Sequence, residues 1–421
     1  MQFDLTKKNI LLGVTGSISA YKACDIARLF VHAGANVFVV MSPSATKFIS
    51  PLTFEGLTRN PVLTQESESW ASDLNHIEIG KKCDIFVIAP ITANSINKLS
   101  KGIADNILLQ TALAFSRPIL IAPSANTQML QNHYTAGSLK MLAVNEYIII
   151  KSQEKLLACG DIGLGGLATP EEIVAQSIQA LYSDTFWQNR KVVVTGGGTI
   201  EKIDEVRYLS NFSSGKMAKA LVLALYSKGA DVCYITSTSS EELPNDVYII
   251  EVESAKELLD YTVDAVRVAK KGKMSKATMN SSEPVRLIQK EPYLFMVSAV
   301  SDYTPVFPQK GKLKKSLLGE NWSLELKKTE DILSSINKDG IVTVGFKAEM
   351  DATDGLENAK ALITQKGVDA VCYNLLENSQ SFGTDENEIT LITKETTTAL
   401  PKDKKLPLAM KILDELQGLS S

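Results

Sequence analysis

Three places in the first half of the chain set small hydroxyl and amide side chains directly behind an apolar run, a pattern suited to holding a phosphate. In GVTGSISAYKACDIARL, Gly13, Gly16, Ser17 and Ser19 leave main-chain amides room to approach an anion at a helix N-terminus. The same glycine spacing also packs a helix against a sheet, so by itself it supports both readings. MSPSATKF puts Ser42 at a turn, and APITANSINKLSKGIADN puts Thr92 and Asn94 at a further strand exit. Ligands of open α/β sheets sit beyond the carboxyl ends of the strands, so the three exits mark one mononucleotide site. His76, in NHIEIGKKCD, stands ahead of a buried strand, where a lone histidine is more often structural than catalytic. Asn126, in APSANTQML, is either a ligand-facing amide or a helix N-cap. LLACGDIGLGGLATP surrounds Cys159 with glycines; such a segment is expected to be too flexible to pack, so a mobile lid carrying Cys159 fits better than a core thiol. In the second half, VVVTGGGTIEKIDEVRYLSNFSSGKMAKAL runs from a triple-glycine turn to Ser213, Ser214, Gly215 and Lys216 at a helix start, a second anion site. The triple-glycine turn alone suggests a dinucleotide fold.

The elements that must position these residues alternate in type, predicting α/β architecture in both halves. NILLGV, NVFVVM, DIFVIAP, RPILIAP and EYIII read as strands apolar nearly throughout, as parallel strands buried on both faces are. Helices are expected over about 18–33, 104–115, 126–140 and 170–182, the last opened by Thr169 as N-cap with Pro170, Glu171 and Glu172 behind it. Periodicity lapses at YSDTFWQNRK, which places a boundary between domains at 1–183 and 190–421. Beyond it KVVVTGGGT restarts the grammar, the helix from Gly215 ends at Gly229, and DVCYIT, VYIIEV, YLFMVSA, IVTVGF, DAVCYN and EITLIT supply strands. The basic segment 268–290 reads as a solvated surface insertion.

At 421 residues the chain is long enough for two domains, each with its own core. With 44% apolar and 22% charged residues it has the composition of a soluble globular protein, and no apolar run reaches the length of a spanning helix. The short apolar stretch after Lys7 and Lys8 runs into a glycine turn and so is not a signal peptide, which points to the cytoplasm. A net charge of -4 offers no general attraction to nucleic acid or to a membrane surface. Five cysteines without CxxC spacing and three histidines argue against a disulfide framework and against a zinc site.

From about Lys8 to Leu181 the joint occurrence of GxTGSIxAYK, HIEI, APxTAN, PxxNxxM and ACGDxGxG resembles the flavin-dependent cysteine decarboxylases of coenzyme A synthesis. The resemblance implies a flavodoxin-like domain with FMN held around Gly16, Ser17, Ser42, Thr92 and Asn94. It further implies Cys159 as proton donor, His76 as the basic residue near flavin and substrate, and Asn126, with Met129 beside it, on the substrate carboxylate. This chain has Ala125 where the family pattern has its first methionine, and Gly165, Gly166, Leu167 where the flap ends GxGRM.

From Lys191 to Ile392, SNFSSGKM, VSAVSDYTP, GKLKKS, KKTEDIL, VGFKAE, KGVDAVCYN and FGTDENEITLI resemble the ligase that joins cysteine to phosphopantothenate with CTP. That resemblance implies Asn211 in handling an acyl-cytidylate and Lys312 in binding CTP and driving turnover. Ser298, Asp302, Glu330, Asp331, Ile332, Leu333, Phe346 and Lys366 are implied around the nucleotide, with Mg2+ held mainly by its phosphates. Glu330 replaces a proline of the family turn, and Leu362 stands where a second nucleotide lysine is expected. Together the two halves imply a bifunctional enzyme acting on phosphopantothenate, cysteine and CTP, assembled as a homo-oligomer, for which a dodecamer would satisfy the family contacts of both halves. Two alternatives are a two-domain dehydrogenase, for which Ser42 and Ser237 replace the expected ribose-binding acids, and a flavin-binding regulatory protein whose ligase domain alone is active.

Overall fold

The computed structural model describes residues 3–156, 160, 162–238, 243–275, 278–279, 285–314, 320–350, 355–375 and 383–419. They fall into two units, Met1–Tyr182 with Ser275–Arg286, and Ser183–Met274 with Leu287–Ser421.

In the first unit β1 (Asn9–Val14), β2 (Asn36–Met41), β3 (Val62–Leu63), β4 (Ile85–Ile91), β5 (Ile119–Pro123) and β6 (Ile148–Ile149) form one sheet in the order 3-2-1-4-5-6. All its pairings are parallel. Without the two-residue edge strand β3, the order is that of a flavodoxin-like sheet; with it, that of a six-stranded doubly wound one. Every residue of β4 is buried. Leu11, Phe86, Ile88 and Ile121 pack under α3 (His76–Lys82), α4 (Ala93–Leu99) and α5 (Ile107–Ala114), and α1 (Lys22–His32) and α8 (Pro170–Tyr182) pack together and against the sheet. That double burial explains why the strands carry no polar alternation. α8 starts as expected: Thr169 Oγ1 accepts from Glu172 N at 3.2 Å, with Pro170 in the first turn. The helix expected over 126–140 is two, α6 (Thr127–Gln131) and α7 (His133–Val144), because Asn132 leaves helical backbone and caps α7. Between β2 and β3 lies α2 (Pro51–Thr58).

The glycine-rich flap departs from expectation. Residues Ile162–Gly166 form β8, paired antiparallel with β7 (Gln153–Leu156) and laid on α6. A Cβ on Gly165 would stand 2.2 Å from Ala125 O, and one on Gly163 would stand 2.4 Å from Thr127 Oγ1. The glycines here serve close approach of strand to helix, so this arm is packed. Cys159 lies outside the described residues.

The second unit contains β9 (Lys191–Gly196), β10 (Glu201–Lys202), β11 (Tyr208–Leu209), β12 (Asp231–Thr236), β13 (Tyr248–Glu251), β14 (Lys273–Met274), β15 (Leu287–Ile288), β16 (Tyr293–Met296), β17 (Tyr303–Pro305), β18 (Leu326–Lys328), β19 (Val342–Glu349), β20 (Ala370–Leu375), β21 (Glu386–Thr393) and β22 (Thr397–Lys404). Its main sheet runs 13-12-9-16-19-20-21-22, parallel through β20 and antiparallel for the last two. β22, absent from the sequence expectations, is an edge strand with mostly exposed residues, and its pairing with β21 is irregular between Asn387 and Ile389. α9 (Lys216–Ser227) and the C-terminal helix Lys405–Leu416 pack on each other, while α10 (Ala255–Ala269) covers β9 and β12. The aperiodic stretch after Tyr182 belongs to this unit: Trp187 is fully buried, edge-on to Phe186 and Tyr293, with the Arg190 guanidinium 3.9 Å from the Phe186 ring centre. Within the basic 268–290 segment, β14 and β15 pair and Met274 and Leu287 are exposed.

Candidate functional site

Each unit gathers its candidate residues at the carboxyl ends of parallel strands. In the first, the sheet order reverses beside β1, and Thr15 ties the two exits there: its Oγ1 donates to Pro90 O at 2.9 Å and accepts from Thr92 N at 3.0 Å. Gly16 brings the β1 turn against the turn after β2; a Cβ there would lie 2.4 Å from Ser44 Cβ. Ser17 Oγ accepts from Ser19 N at 3.3 Å, and Ser19 and Ser124 hydroxyls pair at 2.9 Å. Ser42, 6% exposed, has a buried Oγ with no hydrogen-bond partner among the described residues. An unsatisfied buried hydroxyl is costly, and a phosphate oxygen would satisfy it. The serine cradle therefore fits a phosphate monoester. Thr92 Oγ1 accepts from Ser95 N and caps α4, and Asn94 is exposed in the first turn of α4. Ser124, directly behind β5, was missed as a site residue, although the strand-exit rule that selects Ser42 selects it too.

His76 begins α3, whose N-cap Asn75 accepts from Ile77 N and Glu78 N. His76 Nδ1 is 2.7 Å from Glu68 Oε1, and the ring lies edge-on to Trp70 at 5.7 Å. A carboxylate on Nδ1 fixes that nitrogen as the N–H and leaves Nε2 as the basic atom. Asn126 is the N-cap of α6, its side-chain oxygen accepting from Gln128 N at 2.9 Å. Since helices of such units start where strands end, both residues stand on the carboxyl rim of the sheet.

In the second unit Asn211, Ser298, Asp302, Phe346 and Lys216 line one cavity of about 450 Å³. Asn211 Nδ2 donates to Val300 O at 2.9 Å. The 297–301 loop is fastened to the glycine turn: Thr195 Oγ1 accepts from Val297 N and Ser298 N, Ala299 N donates to Gly197 O, and Thr199 N donates to Ala299 O. This pairing fixes the 297–301 loop against the end of β9. Ser298 Oγ is buried without a hydrogen-bond partner among the described residues. Cys372, also on this wall, is fully buried, and burial pushes its thiol far up, out of nucleophilic range.

Several expected residues are not in the lining of this cavity. Lys312 is exposed on a loop whose neighbour Leu313 is anchored, its N–H to Asp204 Oδ2 at 3.1 Å and its carbonyl to the Arg207 guanidinium at 2.6 Å. Asp204 has no exposed side-chain surface; burial pushes its carboxyl up, but the N–H groups of Val206, Leu313 and Arg207 and the Arg207 charge outweigh this and hold it below the usual range. Asp331 caps the helix Ile332–Ser335 and pairs with Lys366, while Ile332 and Leu333 pack in the core. Glu330 borders a separate cavity of about 690 Å³ beside β17 and β18. No group of three metal-ligating side chains occurs among the described residues, and no helix among them is long and apolar enough to cross a membrane.

Fold and sites define a two-part α/β protein with a candidate ligand site at the carboxyl ends of the strands in each part. The flavoprotein family model matches residues 2–182, and the DNA/pantothenate metabolism flavoprotein C-terminal domain matches 187–279 and 260–419. The coenzyme A biosynthesis bifunctional protein CoaBC of Bacillus subtilis (strain 168) is 35% identical over 99% of this chain and 98% of its own, and that of Haemophilus influenzae (strain ATCC 51907 / DSM 11121 / KW20 / Rd) is 33% identical over 98% of each. Among solved structures, the C-terminal domain of a CoaBC protein is 25% identical over 56% of this chain and 97% of that one, at a TM-score of 0.42. The FMN-dependent cysteine decarboxylase SpaF is 30% identical over 42% and 98%, at 0.37. The chain belongs to the coenzyme A biosynthesis bifunctional protein family. It is a bifunctional enzyme, with a decarboxylase in its flavoprotein half and a ligase in the other.

Proposed function

We propose that the second half joins cysteine to 4'-phosphopantothenate with CTP and Mg2+, and that the first half, with FMN, decarboxylates the product to 4'-phosphopantetheine. The observation that carries this is the meeting of Asn211, Ser298, Asp302, Phe346 and Lys216 in one cavity of a chain that matches the bifunctional family along its whole length.

In the ligase half the substrate carboxylate attacks the α-phosphorus of CTP and pyrophosphate leaves. Cysteine's amine then attacks the acyl carbon, loses a proton and expels CMP. Asn211, held by Val300 O, orients the acyl-cytidylate. Ser298, Asp302 and Phe346 surround the nucleotide, Lys216 and Lys312 meet phosphate charge, and Glu330, Asp331, Ile332, Leu333 and Lys366 supply a capped turn on its border. Mg2+ is carried mainly by the phosphates.

In the decarboxylase half Gly16, Ser17 and Ser42 take the FMN phosphate, with Thr92 and Asn94 at its rim. When bound, the flavin supplies the two-electron oxidation that labilises the cysteinyl carboxylate and then returns the electrons, so that overall a proton replaces CO2. His76, with Nδ1–H held by Glu68, takes the thiol proton; Asn126 holds the departing carboxylate; Cys159 delivers the final proton. The assembly is a cytoplasmic homo-oligomer, with a dodecamer as the form that pairs both halves, a proposal supported by the exposed Leu156, Ile162 and Leu164 on the β7–β8 hairpin.

The test is mass spectrometry of the products formed from phosphopantothenate, cysteine, CTP and Mg2+ by the purified protein with FMN. Phosphopantetheine, CMP and pyrophosphate together establish both steps. Accumulated phosphopantothenoylcysteine would leave only the ligase, and no product would overturn both.

A further inference from the structure

Two helices of the second unit begin with a lysine at the same end of the same cavity. Lys216 is the first residue of α9 and Lys405 the first of the C-terminal helix; the two helices pack together, and both side chains line the 450 Å³ cavity. A cation is poorly placed at a helix N-terminus, where the backbone dipole is already positive, and two side by side are worse. Their local compensation is thin. Lys216 Nζ reaches Asp385 Oδ1 at 2.6 Å and Gly383 O at 2.7 Å, but the Asp385 side chain is 76% exposed. Lys405 Nζ donates to Thr384 O, a neutral carbonyl. Burial, and after it the Lys216 charge, push the Lys405 ammonium below its usual range. One carboxylate thus serves two ammonium groups, and its oxygen on Lys216 marks where an anion's oxygen sits.

We propose that Lys405 binds the β- and γ-phosphates of the nucleoside triphosphate, and the pyrophosphate that leaves, in concert with Lys216. This rests on the cavity being the nucleotide site. The anion needed is a multiply charged one that spans two ammonium groups, which a polyphosphate does and a nucleoside monophosphate does not. Pyrophosphate departs with the electron pair of the broken P–O bond, and Lys405 stays protonated throughout, offsetting the charge that develops.

The experiment is calorimetric titration of the full chain with CTP, CMP and pyrophosphate, each with Mg2+, comparing wild type with Lys405→Gln. The expected result is that CTP and pyrophosphate binding weaken about tenfold or more while CMP binding stays within about twofold, and that Lys405→Arg restores most of the loss. Equal weakening of CTP and CMP would make Lys405 a structural residue, and no weakening would remove it from the site; either overturns the proposal. Wild type that fails to bind CTP would instead remove the nucleotide assignment, and this proposal with it. Should Lys405→Gln fail to fold, judged by loss of the ligase unit's cooperative thermal unfolding transition, Asp385→Asn provides the second reading. Removing the competing carboxylate is expected to tighten CTP about threefold and leave CMP unchanged, and an unchanged CTP affinity would count against the lysine pair.

Discussion

The two candidate sites offer a phosphate different partners. The first presents hydroxyls and backbone: Ser17, Ser19, Ser42 and Ser124 cluster behind β1, β2 and β5. The second presents ammonium groups, Lys216 and Lys405, beside Asn211 and Asp302. Neutral donors fixed by the fold match one shape and hold it, which suits a resident cofactor. Flexible point charges tolerate changes in the geometry and charge of the anion, which suits a triphosphate that must become pyrophosphate and leave.

Changes at one edge should therefore leave the other reaction intact, and the largest effect belongs to Cys159→Ser. Loss of its proton delivery is expected to slow phosphopantetheine formation about 100- to 1,000-fold while CMP release is unchanged; a slowed ligase would break the separation. Gly16→Ala drives a methyl group into the Ser44 turn, and flavin affinity should fall roughly 10- to 100-fold, read as loss of visible absorbance in the purified protein, again with normal CMP release. Asp204→Asn attacks the ligase alone: with the anchor of Leu313 weakened, the Lys312 loop loosens and KM for CTP should rise roughly tenfold, with KM for cysteine and flavin content unchanged.

The smallest effect sharpens the contrast by pH. In the first unit Lys155, which donates to Leu167 O, is pushed down to about 8 by burial first and then by Lys22. Below pH 8 the folded state carries the whole cost of that charged lysine. From 8 to the ordinary 10.5 the unfolded chain keeps a proton that the folded chain has released, so stability gains with rising pH. Lys155→Met should raise the Tm of flavoprotein unfolding by about 1–3 °C at pH 7, and the gain should vanish near pH 10.5.

Much of this arrangement was legible in the residues. Thr169-Pro170-Glu171-Glu172 announces α8, and unbroken apolar runs announce β1, β2 and β4, because these signals are local. The glycines after Asp161 misled because a glycine chosen for flexibility and one chosen for contact spell the same letter; only the 2.2 Å approach to Ala125 O separates them. Partners distant in sequence stayed hidden for a different reason. Glu68 meets His76 across an aperiodic loop, and Lys216 meets Asp385 across 169 positions, so neither pair leaves a spacing to find. Lys312, Lys366 and the 330–333 turn came from family likeness alone, and they are not among the residues that line the cavity with Asn211.

β22 has a consequence for solubility. The last strand of an eight-stranded sheet leaves a row of unpaired backbone groups, an invitation to any extended chain that drifts past. Here that row is interrupted by Pro401, which has no N–H to offer, flanked by Lys402 and Lys404, and bent by the irregular pairing opposite Asn387 and Ile389. The strand that the sequence expectations left out is the one that stops the sheet from growing into its neighbours.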